Sequence, residues 1–128
     1  MVRNAAVGVI LASVFANTHA ANWESIYSGA TGMIWVDQST LKLERPLIHA
    51  KLRMKLTKPD NPGDVTYDER IVQVSFDCDS WRYSMTSETE WLHGKIVKQW
   101  EGDTEEFVIE PGKPLEQAAR ALCGKAYG

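Results

Sequence analysis

The most regular alternation of apolar and polar residues lies in LIHAKLRMKLTK, Leu47 to Lys58. Ile48, Ala50, Leu52, Met54 and Leu56 share one parity; His49, Lys51, Arg53, Lys55 and Thr57 share the other. Period-two alternation of this length predicts a half-buried antiparallel strand with one solvated face. KPDNPGD, Lys58 to Asp64, breaks it with two prolines and a glycine. TYDERIVQVSFDC, Thr66 to Cys78, resumes the pattern, with Val72, Val74, Phe76 and Cys78 on one face and Gln73, Ser75 and Asp77 on the other. Asp79-Ser80 is a tight turn into WRYSMTSE, where Trp81, Tyr83 and Met85 share a parity. Trp91 to Gly94 reads as a hairpin tip, and GKIVKQWEG as the returning strand. Upstream, Ala21 to Ser28 and Met33 to Asp37 are strands separated by the turn Gly29 to Gly32, and QSTLK is a turn or a single helical turn. The acidic loop GDTEE and the short apolar piece FVIE follow the last long strand.

Beyond Pro111-Gly112 the period changes. Leu115, Ala118, Ala119, Leu122 and Cys123 recur at helical spacing, with Pro114 in the first turn and Gly124 as a stop. The fold class is therefore α+β: a twisted antiparallel meander of about six strands with a C-terminal helix packed on one face.

The N-terminus sets the compartment. Arg3 precedes the apolar run Ala5 to Ala16, which is too short to span a bilayer, and Thr18 and Ala20 are the small residues of a cleavage site. Residues 1–20 are expected to be a secretory signal peptide and residues 21–128 a single domain, exported to the periplasm or beyond. No cysteine lies at the cleavage region, so the expected product is not a lipoprotein, and no apolar run in the mature chain can cross a membrane. The net charge of −3 becomes −4 once Arg3 leaves with the leader, which does not suit a nucleic-acid partner.

Export also bears on Cys78 and Cys123, the two cysteines of the chain. Their spacing is not Cys-x-x-Cys, and neither has a second ligand at zinc spacing. In an oxidising compartment they are expected to pair as a structural disulfide, Cys78 on the apolar parity of its strand and Cys123 on the apolar stripe of the helix.

Signals for chemistry are few. There is no nucleophile elbow, phosphate loop or metalloprotease helix, so no catalytic residue, metal ligand or cofactor is assigned. His49 and His93 are the mature chain's two histidines, and an enzyme or a haem binder built on them is the least favoured function. Lys51, Arg53 and Lys55 form a ladder of positive charge on one face of one strand, suited to a polyanion or an acidic protein surface. The same ladder can serve only to keep the sheet from pairing with another chain. The acidic stretch Glu101 to Glu110 can answer it within the molecule or across a homodimer. Of the five tryptophans, Trp23, Trp35, Trp81 and Trp100 fit strand positions and are expected mostly in the core, while Trp91, next to His93 at the tip, is a candidate contact residue.

The order of these features resembles the surface-adhesin protein E family of exported bacterial proteins. The resemblance is carried by Trp23 in NWESIY, IWVDQSTL at Ile34 to Leu41, FDC at Phe76 to Cys78 with Arg82-Tyr83 after it, GKIV at Gly94 to Val97, Trp100, Pro111-Gly112, and the helix reaching Cys123. It implies a twisted antiparallel sheet with a disulfide-tied C-terminal helix, and binding of extracellular-matrix or other host proteins. Lys113 stands where the family pattern leads one to expect a Ser helix cap, a loss of about 1 kcal/mol. The expected function is thus a non-enzymatic, adhesin-like module that binds a protein or polyanion through Lys51, Arg53, Lys55, Trp91 and His93. The alternative is a periplasmic accessory protein acting by self-association.

Overall fold

The alternating stretch from Leu47 forms the longest and most central strand of the computed structural model, which describes residues 20–61 and 65–127. The expected leader, residues 1–20, lies outside the described residues except for Ala20, as do Pro62 to Asp64 of the predicted loop. In chain order the elements are β1 (Trp23–Gly29), β2 (Gly32–Asp37), β3 (Lys42–Glu44), β4 (Leu47–Asp60), β5 (Tyr67–Asp77), β6 (Arg82–Leu92), β7 (Lys95–Glu101), β8 (Phe107–Val108) and the helix α1 (Pro114–Tyr127). The main path of the sheet runs β1-β2-β4-β5-β6-β7, every pair antiparallel, with β3 added to β4 and β8 to β6. The six expected strands are this path. β3 and β8 are short additions that carry no alternation of their own.

Parity decides what is buried. Ile48, Leu52 and Met54 of β4 and Val72, Val74 and Phe76 of β5 point to the face covered by α1, where Leu115, Ala118, Ala119 and Leu122 meet them. Ala118 and Ala119 are completely buried, so small side chains bring the helix backbone close to the sheet. Cys78 and Cys123 are joined at a Cα–Cα distance of 5.7 Å, tying the end of β5 to the helix. At the far end of α1, the Tyr127 hydroxyl donates to the Leu47 carbonyl at 3.0 Å.

The missing Ser cap is replaced locally. Glu116, in the first helical turn, accepts the Gly112 backbone N–H at 2.9 Å and pairs with Arg120 one turn on. These contacts hold the Glu116 carboxyl below its usual pKa, the Gly112 N–H contributing most. Glu116 at the third helical position thus ties back the turn before the helix, one residue short of the N-cap Lys113 that a capping box would engage.

Asp37 explains the Asp-x-Ser of IWVDQSTL. It is 4% exposed, and its Oδ1 accepts the Asn22 N–H, the Ser39 N–H and the Ser39 hydroxyl, closing a single 3₁₀ turn at Gln38–Thr40. Burial pushes the Asp37 carboxyl up, but these hydrogen bonds outweigh it and the net shift is downward. Asp77 works likewise at the β5–β6 turn, accepting the Asp79 and Ser80 N–H groups at 3.0 Å.

Trp23, Trp35, Trp81 and Trp100 depart from expectation. All five tryptophans are half-buried; Trp81 packs against the core from its edge, and the buried aromatic residues are Phe76 and Tyr67. Parity puts Trp35 on the outward face of β2, between buried Ile34 and Val36.

Two substitutions test this architecture. Cys78→Ser is expected to lower unfolding free energy by about 4 kcal/mol in urea titration, for a closed loop spanning 45 positions. Gly32→Ala is expected to destabilise as well, because Gly32 has φ +145° and an added Cβ would fall 2.1 Å from the Lys55 carbonyl oxygen. A native melting temperature for Gly32→Ala would refute that close approach.

Candidate functional site

The face of the sheet opposite α1 is built from the other parity. Lys51, Arg53 and Lys55 alternate along β4 with their buried neighbours, and cross-strand register extends each into a row. Trp35 of β2, Arg53, Ile71 of β5, Thr89 of β6 and Gln99 of β7 lie in one row. Met33, Lys55, Glu69 and Trp91 lie in the next; Lys51, Gln73, Ser87 and Glu101 lie on the other side. The face therefore mixes cations, indoles, amides and hydroxyls.

The three cations are not equivalent. Arg53 donates from Nε to Glu69 at 2.6 Å and stacks over the Trp35 ring at 5.4 Å, so its charge is largely committed within the sheet. Lys51 is half-buried and its charge helps to hold Asp37 ionised. Lys55 is exposed. His49, at the start of the ladder, donates from Nε2 to Glu44 at 2.7 Å while Nδ1 meets the Ser75 hydroxyl at 2.6 Å, engaging both ring nitrogens. It is thus the histidine, followed by Lys42, that holds the Glu44 carboxyl low.

Trp91 shares the outer face and belongs to the strand, because β6 continues through Leu92. The tip itself is the two-residue turn His93-Gly94, with φ of +52° and +82°. Two successive positive φ values are the mark of a type I′ hairpin turn, and the second is readily supplied by glycine. His93 is solvent-exposed, and its backbone N–H donates to Asp68 at 3.2 Å. The structure thus places Lys51, Arg53, Lys55 and Trp91 on one face and His93 beyond its end.

A second cluster lies on the helix side, and strand alternation alone does not reveal it. Tyr83 and Met85 pack against the core, and continuing their parity would send Thr89 and Trp91 inward. A bulge at Thr86 reverses it: Val74 pairs with Met85, but Gln73 pairs with Ser87. The segment after β7 clamps the bulge, with Gly102 N–H donating to the Thr86 carbonyl at 2.9 Å and Thr104 N–H to that of Met85 at 3.0 Å. Glu88 and Glu90 are consequently turned inward, 6% and 4% exposed.

Their charges are managed in different ways. Arg70 donates to Glu88 Oε2 at 2.8 Å and the Trp100 indole N–H to Oε1 at 3.0 Å. Burial pushes Glu88 up, but the Glu90 hydrogen bond and Arg70 outweigh it and keep Glu88 ionised. Glu90 bonds to Glu88, and among the described residues its Oε1 is the buried side-chain oxygen without a hydrogen-bond partner. Burial, the Glu88 hydrogen bond and the Glu88 charge raise Glu90 to about 7, with Arg70 and Lys98 opposing. Two carboxyls thus share one proton beside the half-buried Arg70.

This pair makes stability depend on pH near neutrality. Glu90 holds its proton in the folded state up to about 7 and releases it near 4.5 when unfolded, so the folded chain loses relative stability as pH rises through that interval. Glu90→Gln is expected to flatten the fall in melting temperature between pH 5 and 8 and to raise the value at pH 8 by a few degrees. An unchanged slope in that variant would refute the shared proton.

Among the described residues no three His, Cys, Asp or Glu side chains converge as a metal site, and no helix is long and apolar enough to cross a membrane. No curated protein sequence matches the chain. Among solved structures it is similar to crystal form II of Haemophilus influenzae protein E, at 10% identity and a TM-score of 0.49, over 72% of this chain and 80% of that one. It is also similar to protein E from non-typeable Haemophilus influenzae, at 10% identity and a TM-score of 0.48, over 86% and 82%. The sequence pattern of the surface-adhesin protein E family matches residues 23–124, nearly all of the region folded as one sheet and one helix. The chain belongs to the surface-adhesin protein E family.

Proposed function

We propose that the protein is an exported, non-enzymatic, adhesin-like domain that recognises a protein or polyanionic partner through the outer face of its sheet and the β6–β7 tip. The leader read at residues 1–20 supplies the export route, to the periplasm or beyond. The observation that carries the reading is the placement of Lys51, Arg53 and Lys55 on the face that α1 leaves uncovered, in a chain of an adhesin family. Trp91 on the same face and His93 at the tip complete the surface.

A second reading, self-association, is favoured by β7. Ile96 is 55% exposed and Val97 36%, on a strand that ends the main path of the sheet. An apolar edge strand is a template for pairing with another chain. In sedimentation, Ile96→Lys is expected to leave a monomer if a dimer forms there.

The ladder has its own test. Exposed ion contacts are worth about 0.2–1 kcal/mol each, so replacing all three cations with Ser should weaken retention on heparin or matrix protein by roughly threefold to a hundredfold. Most of that loss is expected from Lys51 and Lys55, since Arg53 is held by Glu69 and Trp35. Equal retention by the folded triple variant and the parent would refute the ladder.

A further inference from the structure

Between the ladder and the outer edge of the sheet lies a depression of about 280 Å³, close to the lower end of ligand-site volumes. Ile71 is its apolar floor, and Trp91 and Trp100 both line it, the Trp100 indole N–H being held by Glu88. Besides Lys51 and Glu101, its polar lining is Gln73, Ser87, Thr89 and Gln99, groups that both donate and accept without carrying charge. They are weakly committed to one another. Ser87 donates to Gln73 at 3.4 Å and Gln99 to Thr89 at 3.4 Å, both at the long limit of a hydrogen bond.

The charges at the rim balance. Lys51 stands on the β4 side and Glu101 on the β7 side. The neighbouring cation, Arg53, is already neutralised by Glu69. A polyanion would gain Lys51 and meet Glu101; a polycation would have the reverse problem. A neutral ligand covered with hydroxyls meets neither, because each hydroxyl can donate to Glu101 or a Gln carbonyl and accept from Lys51 or a Gln amide. The apolar C–H face of a pyranose ring is the natural complement of an indole flanked by such groups.

We propose that this depression binds a neutral sugar residue, with Trp91 as the stacking platform and Gln73 and Gln99 reading ring hydroxyls. The inference rests on the outer face being the recognition surface, and it makes the glycan of a glycosylated partner one of the groups that surface contacts. It also gives the amide positions of β5 and β7 a role that the cation ladder does not.

The test is titration of the whole mature protein with three neutral disaccharides (lactose, maltose and N,N′-diacetylchitobiose), followed by indole fluorescence and by NMR of the glutamine side-chain amides. At least one sugar is expected to give saturable shifts at Gln73, Gln99 and the Trp91 indole. The Gln73→Ala/Gln99→Ala variant should weaken binding at least about tenfold, a difference of about 1.4 kcal/mol. Trp91→Phe should keep most of the affinity and Trp91→Ala should lose it, with circular dichroism confirming that each variant is folded. No saturable response to any of the three at concentrations that would fill a site of about 1 mM Kd overturns the proposal. So does a response confined to residues elsewhere. A heparin oligosaccharide run in parallel separates the two readings: binding of heparin alone, lost with the cation ladder and kept in Trp91→Ala, removes the sugar site and leaves the recognition surface standing. Absence of both removes both.

Discussion

A single helix covering a single face of the sheet is the constraint on which the rest of the structure depends. α1 has fourteen residues, and it must bury the inward parity of β4 and β5 almost alone. Close approach through Ala118 and Ala119 makes the layer thin, while strand parity puts Trp35 and the bulge at Thr86 puts Trp91 on the opposite surface. The disulfide and the Tyr127–Leu47 hydrogen bond both fasten the C-terminal end of the helix, one turn apart. With one face closed in this way, the other is left to solvent, its relief limited to the shallow depression between β4 and β7.

Much of this was legible in the sequence because β4 and β5 alternate strictly and because the period changes cleanly at Pro114. The same alternation assigned Lys51, Arg53 and Lys55 to one face, and the helical stripe aligned Cys123 with the sheet. What stayed hidden depends on contacts between distant residues. Nothing local in SMTSETEW announces the bulge at Thr86, since the backbone groups that clamp it come from Gly102 and Thr104. A one-residue offset exchanges faces, so the parity of Trp81, Tyr83 and Met85 does not carry through to Glu88 and Glu90. The neutralisation of Arg53 by Glu69 was equally invisible, because it requires the register of β4 on β5. β3, three exposed residues, has no pattern to read.

The two faces handle charge by opposite physics. On the outer face, ions are half-solvated, pair cheaply and can exchange partners for a ligand. On the inner face, Arg70, Glu88 and Glu90 have lost most of their water, and the excess negative charge is removed by retaining a proton. The bulge is the device that separates these regimes: it places acids beneath the same stretch of β6 whose other side carries Ser87, Thr89 and Trp91.

The outer edge of β6 is shared, with β8 beside Arg82 and Tyr83 and β7 beside Ser87 to Leu92. This division has a mechanical meaning. A pull applied at the His93-Gly94 tip loads the ladder between β5 and the far half of β6 from its end, so pairs open one after another, as in unzipping. A pull along β4 loads its hydrogen bonds to β2, β3 and β5 together, in shear. The tip half of the β6–β7 hairpin is therefore the compliant end of the domain and β4 its stiff spine. A partner held at the tip would be released at lower force than one held on the β4 ladder.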